Sequence, residues 1–571
     1  MGRLCEIEAS RSRRFCGKIG IDKPSRPRAD RSAIRDDAAA TDRLRQRRRC
    51  ISTEVELKLA VSAADLPELT RALVEMAPAS ASSQSRLIST YYDTPNLALK
   101  RRGLSLRVRE QGGQFIQTVK TEDLGDGDPL TRGEWEDEVA ESRPDPEAAQ
   151  SGEHLPDGIA GDLQPLFATD VMRTTFAIDP APATRIEAAI DQGEIRAAAG
   201  GETEPISEIE LELKSGDAAA LYIVALQLLD VAPIRIEPRS KSERGYRLGD
   251  EAEAVPPIAH AEPVVLNSMM SVETALQEIG RACLAHLLHN EAAALAMQPE
   301  GVHQMRVAVR RIRSAMSAFK ELLPAADRRR ISDELRWLAD ILGRARNLDV
   351  FAIELLPPAR TARVDQRGID DLAAALNQER STAYQRVERA ILSERYASGM
   401  LRLSHWFEAR GWRDGAAKRP VLLTSPIREL ASHLLDRRWR QVRKRSKRFG
   451  RLAAPQRHKL RIATKKLRYT SELLGSLFNQ GDLQEFMKPL KRLQDDIGYA
   501  NDVRVAQHLL PVLCARDGTV VRAGARLLEW HEQKLANAER KLRKRLIRLN
   551  QAVPFWRRLA TFDYRSERIR A

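Results

Sequence analysis

Glu54-Val55-Glu56-Leu57-Lys58-Leu59 alternates charged and apolar side chains residue by residue, and a β-strand distributes such alternation onto two opposite faces. The same period recurs downstream. Leu104, Leu106 and Val108 interleave with Ser105, Arg107 and Arg109, and Glu134, Glu136 and Glu138 with Trp135, Asp137 and Val139. Ile209, Leu211 and Leu213 interleave with Glu208, Glu210 and Glu212. Helical patterning intervenes over residues 63–74 and 218–229, so residues 51–250 read as an antiparallel sheet or barrel with accessory helices. The charged faces are sorted by sign. On an open, solvated sheet, like charges placed this way merely repel. In a closed barrel they converge on a lumen, where carboxylates can hold a hard divalent cation and Arg or Lys can hold phosphate. Periodicity alone leaves both arrangements open.

Outward from this block the chain changes character. Its 571 residues exceed one ordinary domain. Residues 1–50 carry 15 Lys+Arg against 7 Asp+Glu without a sustained apolar period, and read as a disordered basic leader. Residues 51–250 hold 20 Lys+Arg and 36 Asp+Glu, whereas residues 251–571 hold 59 and 36. An acidic module joined to a basic one predicts two jobs, the second with a polyanionic partner. Pro256, Pro257 and Pro263 mark residues 251–265 as a linker. Aromatics make up only 5 %, which argues against stacking platforms, so nucleic acid is an open partner but not a favoured one. Cys5, Cys16, Cys50, Cys283 and Cys514 form no Cys-x-x-Cys pair, so neither a zinc ribbon nor a disulfide framework is expected. No apolar run approaches the roughly 18 residues of a membrane span, and residues 1–20 lack the apolar segment of a secretory signal. A reducing cytoplasm is the expected compartment.

Residues 266–560 read as all-helical and contain a repeat. His303-Gln-Met-Arg306-Val-Ala-Val-Arg310-Arg-Ile-Arg313 returns 155 residues later as His458-Lys-Leu-Arg461-Ile-Ala-Thr-Lys465-Lys-Leu-Arg468. At that offset Leu342-Gly343 is answered by Ile497-Gly498, each followed by an Asn/Asp-Val segment. The expectation is two related helical halves, about 266–420 and 421–560. In the first copy Val302, Met305, Val309, Ile312, Met316 and Phe319 form the core stripe. His303, Arg306, Arg310 and Arg313 form a second stripe, and His458, Arg461, Lys465 and Arg468 repeat it. Two such stripes can line one groove that follows a linear polyanion.

Several segments occur in an order that resembles the CYTH domain, the triphosphate tunnel metalloenzyme family: Glu54-x-Glu56-x-Lys58, Tyr91-Tyr92-Asp93-Thr94-Pro95, Arg107-x-Arg109, Lys120, Arg132-x-Glu134-x-Glu136, Arg173, Arg185-x-Glu187, Glu208-x-Glu210-x-Glu212 and Lys241-Ser242-Glu243-Arg244-Gly245-Tyr246. The repeated half is similar to the CHAD domain, a helical module that binds polyphosphate. The resemblance implies an α+β multidomain chain: an eight-stranded antiparallel barrel tunnel, then the duplicated all-α domain. It implies metal-dependent hydrolysis of inorganic triphosphate, with Glu54, Glu56 and Lys58 as catalytic residues. Lys58, Arg107, Arg109, Lys120, Arg173, Arg185 and Lys241 would contact phosphate. Glu54, Glu56, Glu210 and Glu212, then Glu134 and Glu136, would hold Mg²⁺ or Mn²⁺. Asp191 and Glu187 read either as part of the site or as salt-bridge partners, and Tyr91 and Tyr92 as packing residues. The eight stripe residues of the helical half would bind polyphosphate, with granule association as a corollary. A non-catalytic polyphosphate scaffold, and a tunnel acting on a nucleoside or thiamine triphosphate, are the alternatives. The leader before Glu54 departs from the family, whose signature lies near the initiator Met, and puts Met1 in question as the start.

Overall fold

A computed structural model describes residues 52–77, 82–121, 131–198, 200–248, 255–362, 365–413, 420–447, 449–513 and 518–558. The expected leader lies outside the described residues. Nine strands come first: β1 (Ser52–Val61), β2 (Ser82–Asp93), β3 (Leu104–Gln111), β4 (Gln114–Thr121), β5 (Thr131–Val139), β6 (Gln164–Ala181), β7 (Thr184–Ala197), β8 (Thr203–Ser215) and β9 (Ile234–Ile236). They form one antiparallel sheet in the order β5-β4-β3-β2-β6-β7-β8-β1-β9, and Ser52–Val55 of β1 also pairs with β5. Eight strands therefore run round a tunnel. The seam is short, however. Beyond it the same edge of β1 takes the ninth strand, Leu59–Val61 pairing with Ile234–Ile236. The added strand and the partly open seam are the departures from the expected eight-stranded barrel.

Apolar faces decide which way the charges point. Leu57, Leu59, Ile209 and Leu211 are buried against α1 (Leu66–Met76) and α2 (Ala219–Leu229), outside the ring. With period-two strands, the alternate charged residues must then face inward. Helix α1 buries Leu66, Leu69 and Leu73, one helical stripe, and each buried Leu contributes about 1.5–3 kcal/mol. Helix α2 is apolar nearly all round, which suits a helix covered on both sides.

The second cover comes from the helical half. Its longer helices are α3 (Val272–Leu288), α4 (Pro299–Ala318), α5 (Ala325–Val350), α6 (Gln366–Ile391), α7 (Glu394–Glu408), α8 (Ile427–Ser446), α9 (Ala454–Leu474), α10 (Gln480–Leu513) and α11 (Gly518–Gln551). Ala397 and Leu401 of α7 join the core formed by α2 and the sheet. The repeat helices α4 and α9 pack on each other, and the expected core stripe from Val302 to Phe319 is buried throughout. A single apolar core runs from Val264 to Trp556, so the two related halves share a core instead of closing separately. Among the described residues no helix is long and apolar enough to cross a membrane.

Residues 255–265 are not a free linker. Gln298 and Asn290 donate to the carbonyls of Pro256 and Ala259 at 2.8 and 2.9 Å, and Arg311 donates to that of Glu262 at 2.8 Å. Gln304 donates to His260 Nδ1 at 3.2 Å. The Pro-rich stretch is a strap fixed to the helical half by side chains 31 to 49 residues away. Such partners leave no local signal in the sequence.

Candidate active site

Directly opposed residues of an antiparallel pair share a face, so the register traces the tunnel lining. Glu56 faces Glu212 and Lys58 faces Glu210 across β1 and β8. Glu187 faces Glu212 and Asp191 faces Glu208 across β7 and β8, while Arg173 faces Asp191 across β6 and β7. Elsewhere Lys120 lies between Ser105 and Glu134, and Arg107 between Tyr91 and Thr118. All of these side chains except Glu208 and Thr118 line a cavity of about 1070 Å³. It continues past Lys241 to the strap and α3, where His260, Glu262, Arg281 and His289 complete its wall. The helical half is thus part of the enclosure.

One neighbourhood is internally neutralised. Glu210 accepts from Lys58 at 2.7 Å, from Lys241 at 2.8 Å and from Arg173. Asp191 accepts two bonds from Arg173, at 2.7 and 2.6 Å, and lies 2.6 Å from Lys241. Burial pushes both carboxyls up, but Lys241 and Arg173, with Lys58 at Glu210, outweigh it and hold them below the usual range. Asp191, Glu208 and Glu210 bring oxygens within 4.8 Å of one another. Lys241 already stands among them, so the chain supplies this cluster's cation itself.

A second neighbourhood has carboxylate in surplus. Glu56, Glu212 and Glu187 sit side by side across β1, β8 and β7, with Lys214 2.6 Å from Glu212 and 3.5 Å from Glu187. Burial, together with the charges of Glu54 and Glu187, pushes the Glu212 carboxyl up despite Lys214. Crowded hard oxygen donors with excess negative charge fit Mg²⁺ or Mn²⁺. Glu54, Glu56 and Glu212 belong to this set, and Glu187, which the sequence leaves open between the site and a salt bridge, stands beside them with Lys214 3.5 Å away. Glu210 is committed to three cations. Glu134 pairs with Lys120 at 3.0 Å and with Arg107 at 3.4 Å, and half-exposed Glu136 lies 3.8 Å from Arg107.

Across the tunnel Arg107, Arg109 and Arg173 crowd one another. Arg107, then burial and Arg173, lower the Arg109 guanidinium to about 10. Buried Nε atoms of Arg107 and Arg109 have no hydrogen-bond partner among the described residues. Buried cations short of acceptors are costly alone and well suited to an oxyanion, which offers several acceptors at once. Lys120 and Lys58 face the same space from β4 and β1.

Arg185 is placed differently. Its side chain is 66 % exposed and 3.4 Å from Asp179, outside the tunnel. The β7–β8 ladder slips between Arg185 and Ile186, and at that rim the alternation that would aim Arg185 inward is broken. Arg185→Ala is therefore expected to leave anion binding unchanged and stability within about 0.5 kcal/mol, as a titration with triphosphate and a thermal melt would show.

The two basic stripes converge only in part. His303, Arg306 and Arg310 of α4 meet Arg461 and Lys465 of α9, and Arg346 of α5 joins them. Burial, then Arg310 and Arg346, lowers Arg306 to about 9. Burial, then Arg310 and Arg461, lowers Lys465 to about 6. Burial and Arg346 hold the His303 imidazole at about 4, neutral at ordinary pH. Arg306 donates to the Ala339 carbonyl at 2.8 Å, and Gly343 gives it room: a Cβ there would lie 2.6 Å from Nη1. Gly498 has nothing that close, so the repeat is asymmetric here. Arg468 turns to Glu472 at 2.8 Å, and His458 and Arg313 are exposed.

Residues 52–246 match the family model of the CYTH domain and residues 278–511 that of the CHAD domain. Over 202 residues the chain is 34 % identical to an inorganic triphosphatase of Haemophilus influenzae, covering 35 % of this chain and 55 % of that one. Over 271 residues it is 28 % identical to an uncharacterised protein of Mycobacterium tuberculosis, covering 43 % and 48 %. The chain thus spans about half the length of the curated relatives it matches. The crystal structure of the CHAD domain from the plant Ricinus communis is 27 % identical, covers 52 % of this chain and 98 % of that structure, and has a TM-score of 0.46. This chain carries a CYTH domain over residues 52–246 followed by a CHAD domain over residues 278–511.

Proposed function

We propose that the tunnel hydrolyses inorganic triphosphate to pyrophosphate and phosphate with Mg²⁺ or Mn²⁺, and that the helical half binds polyphosphate. The observation that carries the first part is the pairing of two opposite deficits in one cavity. Buried Nε atoms of Arg107 and Arg109 have no acceptor among the described residues, and the row of Glu56, Glu212 and Glu187 outnumbers the lysines beside it, Lys58 (shared with Glu210) and Lys214. A metal-bound triphosphate supplies both. The triphosphatase relative points the same way.

In this reading Arg107, Arg109 and Arg173 grip phosphoryl oxygens, with Lys58, Lys120 and Lys241 spaced round them. Glu54, Glu56, Glu212 and Glu187 would hold the cation, which when bound neutralises phosphate charge and favours water as nucleophile. Water attacks a terminal phosphorus, the bridging P–O bond breaks, and pyrophosphate departs. Catalysis rests mostly on positioning and charge neutralisation. Lys58, Lys120, Lys241, Arg107 and Arg173 are held by carboxylates before substrate arrives, so they are pre-aimed.

The test is phosphate release from triphosphate, ATP and long-chain polyphosphate with Mg²⁺, Mn²⁺ or chelator. Rapid release from triphosphate that disappears with chelator is expected. No release from any of the three, with polyphosphate still bound, would replace the enzyme by a scaffold. For the helical half the support is the cluster of Arg306, Arg310, Arg461, Lys465 and Arg346, in which burial and then neighbouring positive charge lower Arg306 and Lys465.

A further inference from the structure

Lys241 occupies the centre of the neutralised cluster, yet it rides on a helix of five residues, Lys241–Gly245. So short a helix is not stable alone, because nucleation costs more than one turn returns. Its position must come from anchors, and three are visible. At the N-terminus Ser240 and Glu243 form a capping box, with Glu243 N donating to Ser240 Oγ at 3.1 Å and Ser240 N donating to Glu243 Oε2 at 2.6 Å. In the middle Arg244 donates to Glu204 at 2.7 Å, to Glu208 at 3.0 Å and to the Pro205 carbonyl at 2.6 Å. At the C-terminus Tyr246 donates its hydroxyl to Asp93 Oδ2 at 3.1 Å.

The last anchor differs from the others. The capping box is internal to the segment, and Arg244 ties the helix to β8. Only the Tyr246 contact among these reaches β2, three places away round the ring. Asp93 is fully buried. It also accepts from the backbone N–H groups of Thr94, Leu99 and Lys100 at 2.7, 2.9 and 2.9 Å, so its two oxygens are fixed by the chain turning out of β2. The Tyr246 ring meets Phe167 edge-on at 5.4 Å, and Phe167 stacks on Tyr91 at 4.5 Å. Gly245 permits that approach, since a Cβ there would lie 2.1 Å from Phe167 Cε2.

We infer that Asp93 and Tyr246 are positioning residues that hold Lys241 at the phosphate site, fastening its short helix across the tunnel from β8 to β2. This rests on the triphosphatase reading for the identity of the anion, but not for the latch itself. Substrate must compete with Asp191, Glu208 and Glu210 for Lys241. A helix free to pivot at Tyr246 would let the ammonium follow those carboxylates, and substrate binding would weaken more than turnover at saturation.

The test is Tyr246→Phe, which keeps the ring packing and deletes one hydroxyl, with Asp93→Asn as a second variant. Amide hydrogen exchange across residues 241–246 is expected to quicken about tenfold or more in Tyr246→Phe while β8 stays protected. The KM for triphosphate is expected to rise about fivefold with kcat within twofold. In a Lys241→Ala background Tyr246→Phe should add no further change in KM, which a merely structural role would not predict. Unchanged exchange at 241–246, or a KM effect that persists in full without Lys241, would overturn the inference. A wild-type protein that does not cleave triphosphate would overturn the functional reading alone, and the exchange measurement would still decide the latch.

Discussion

Glu56→Gln is expected to lower metal-dependent triphosphate turnover by about 10²–10³-fold while the protein still unfolds cooperatively. The substitution keeps the shape and removes one negative charge from the row shared with Glu212 and Glu187. Lys58, which lies 2.7 Å from Glu56, keeps its 2.7 Å contact with Glu210, so no buried cation is orphaned. The loss should appear as weaker apparent Mg²⁺ or Mn²⁺ affinity together with lower kcat. Glu54→Gln should follow it, since Glu54 raises Glu212 from the same side. Glu210→Gln should behave otherwise. It weakens a partner shared by Lys58, Arg173 and Lys241, and breaking a buried ionic network commonly costs about 3–5 kcal/mol. Metal titrations and denaturant melts of the three variants separate chemistry from scaffolding. Equal activity in wild type, Glu54→Gln and Glu56→Gln would remove the carboxylate row from the mechanism.

The contrast among these glutamates shows what the sequence carries and what it omits. Alternation places Glu54, Glu56, Lys58, Arg107, Arg109, Glu210 and Glu212 on the charged faces of their strands, the resemblance adds Lys120, and the outer helices α1 and α2 make those faces the inner ones. Alternation cannot tell which carboxylate spends its charge on a lysine, because Lys241 arrives from a segment 31 residues beyond Glu210. The resemblance counts Arg185 among the phosphate contacts, whereas a register slip at the strand end, which carries no compositional mark, leaves it exposed beside Asp179. Arg244, Tyr246 and Arg346 acquire their roles only through tertiary contacts. Asp93 and Tyr246 each stand in a motif, but nothing in the sequence pairs them across 153 residues. Arg468 was more legible than the reading allowed: Glu472, four residues on, is a standard helical ion-pair spacing, and it draws Arg468 from the groove.

In the helical half the expected result is that removing cations makes the protein both more stable and unable to hold polyphosphate. Beyond burial, Arg310 lowers Arg306, Arg461 and Lys465, and Arg461 lowers Arg306 and Lys465, by repulsion in a half-buried cluster. Replacing the three by Met keeps their unbranched stems in place and removes the charge. Arg306 is left alone because its bond to the Ala339 carbonyl joins α4 to α5. Without polyanion the variant should melt higher, at about 2–4 °C per kcal/mol of repulsion relieved. Affinity for long-chain polyphosphate should fall by at least about tenfold, with a shallower dependence on salt. Protonation gives an independent readout. The folded value of Lys465, about 6, lies below its ordinary 10.5. Between these values the unfolded chain binds a proton that the folded chain lacks, so this site makes stability rise with pH across that window. A bound polyanion would restore the charge, so binding at pH 8 should take up protons, seen as a dependence of calorimetric enthalpy on the buffer's ionisation heat. The variant should lose that uptake. A triple variant that melts lower and binds polyphosphate as tightly as wild type would show that these cations are structural and that the polyanion lies elsewhere.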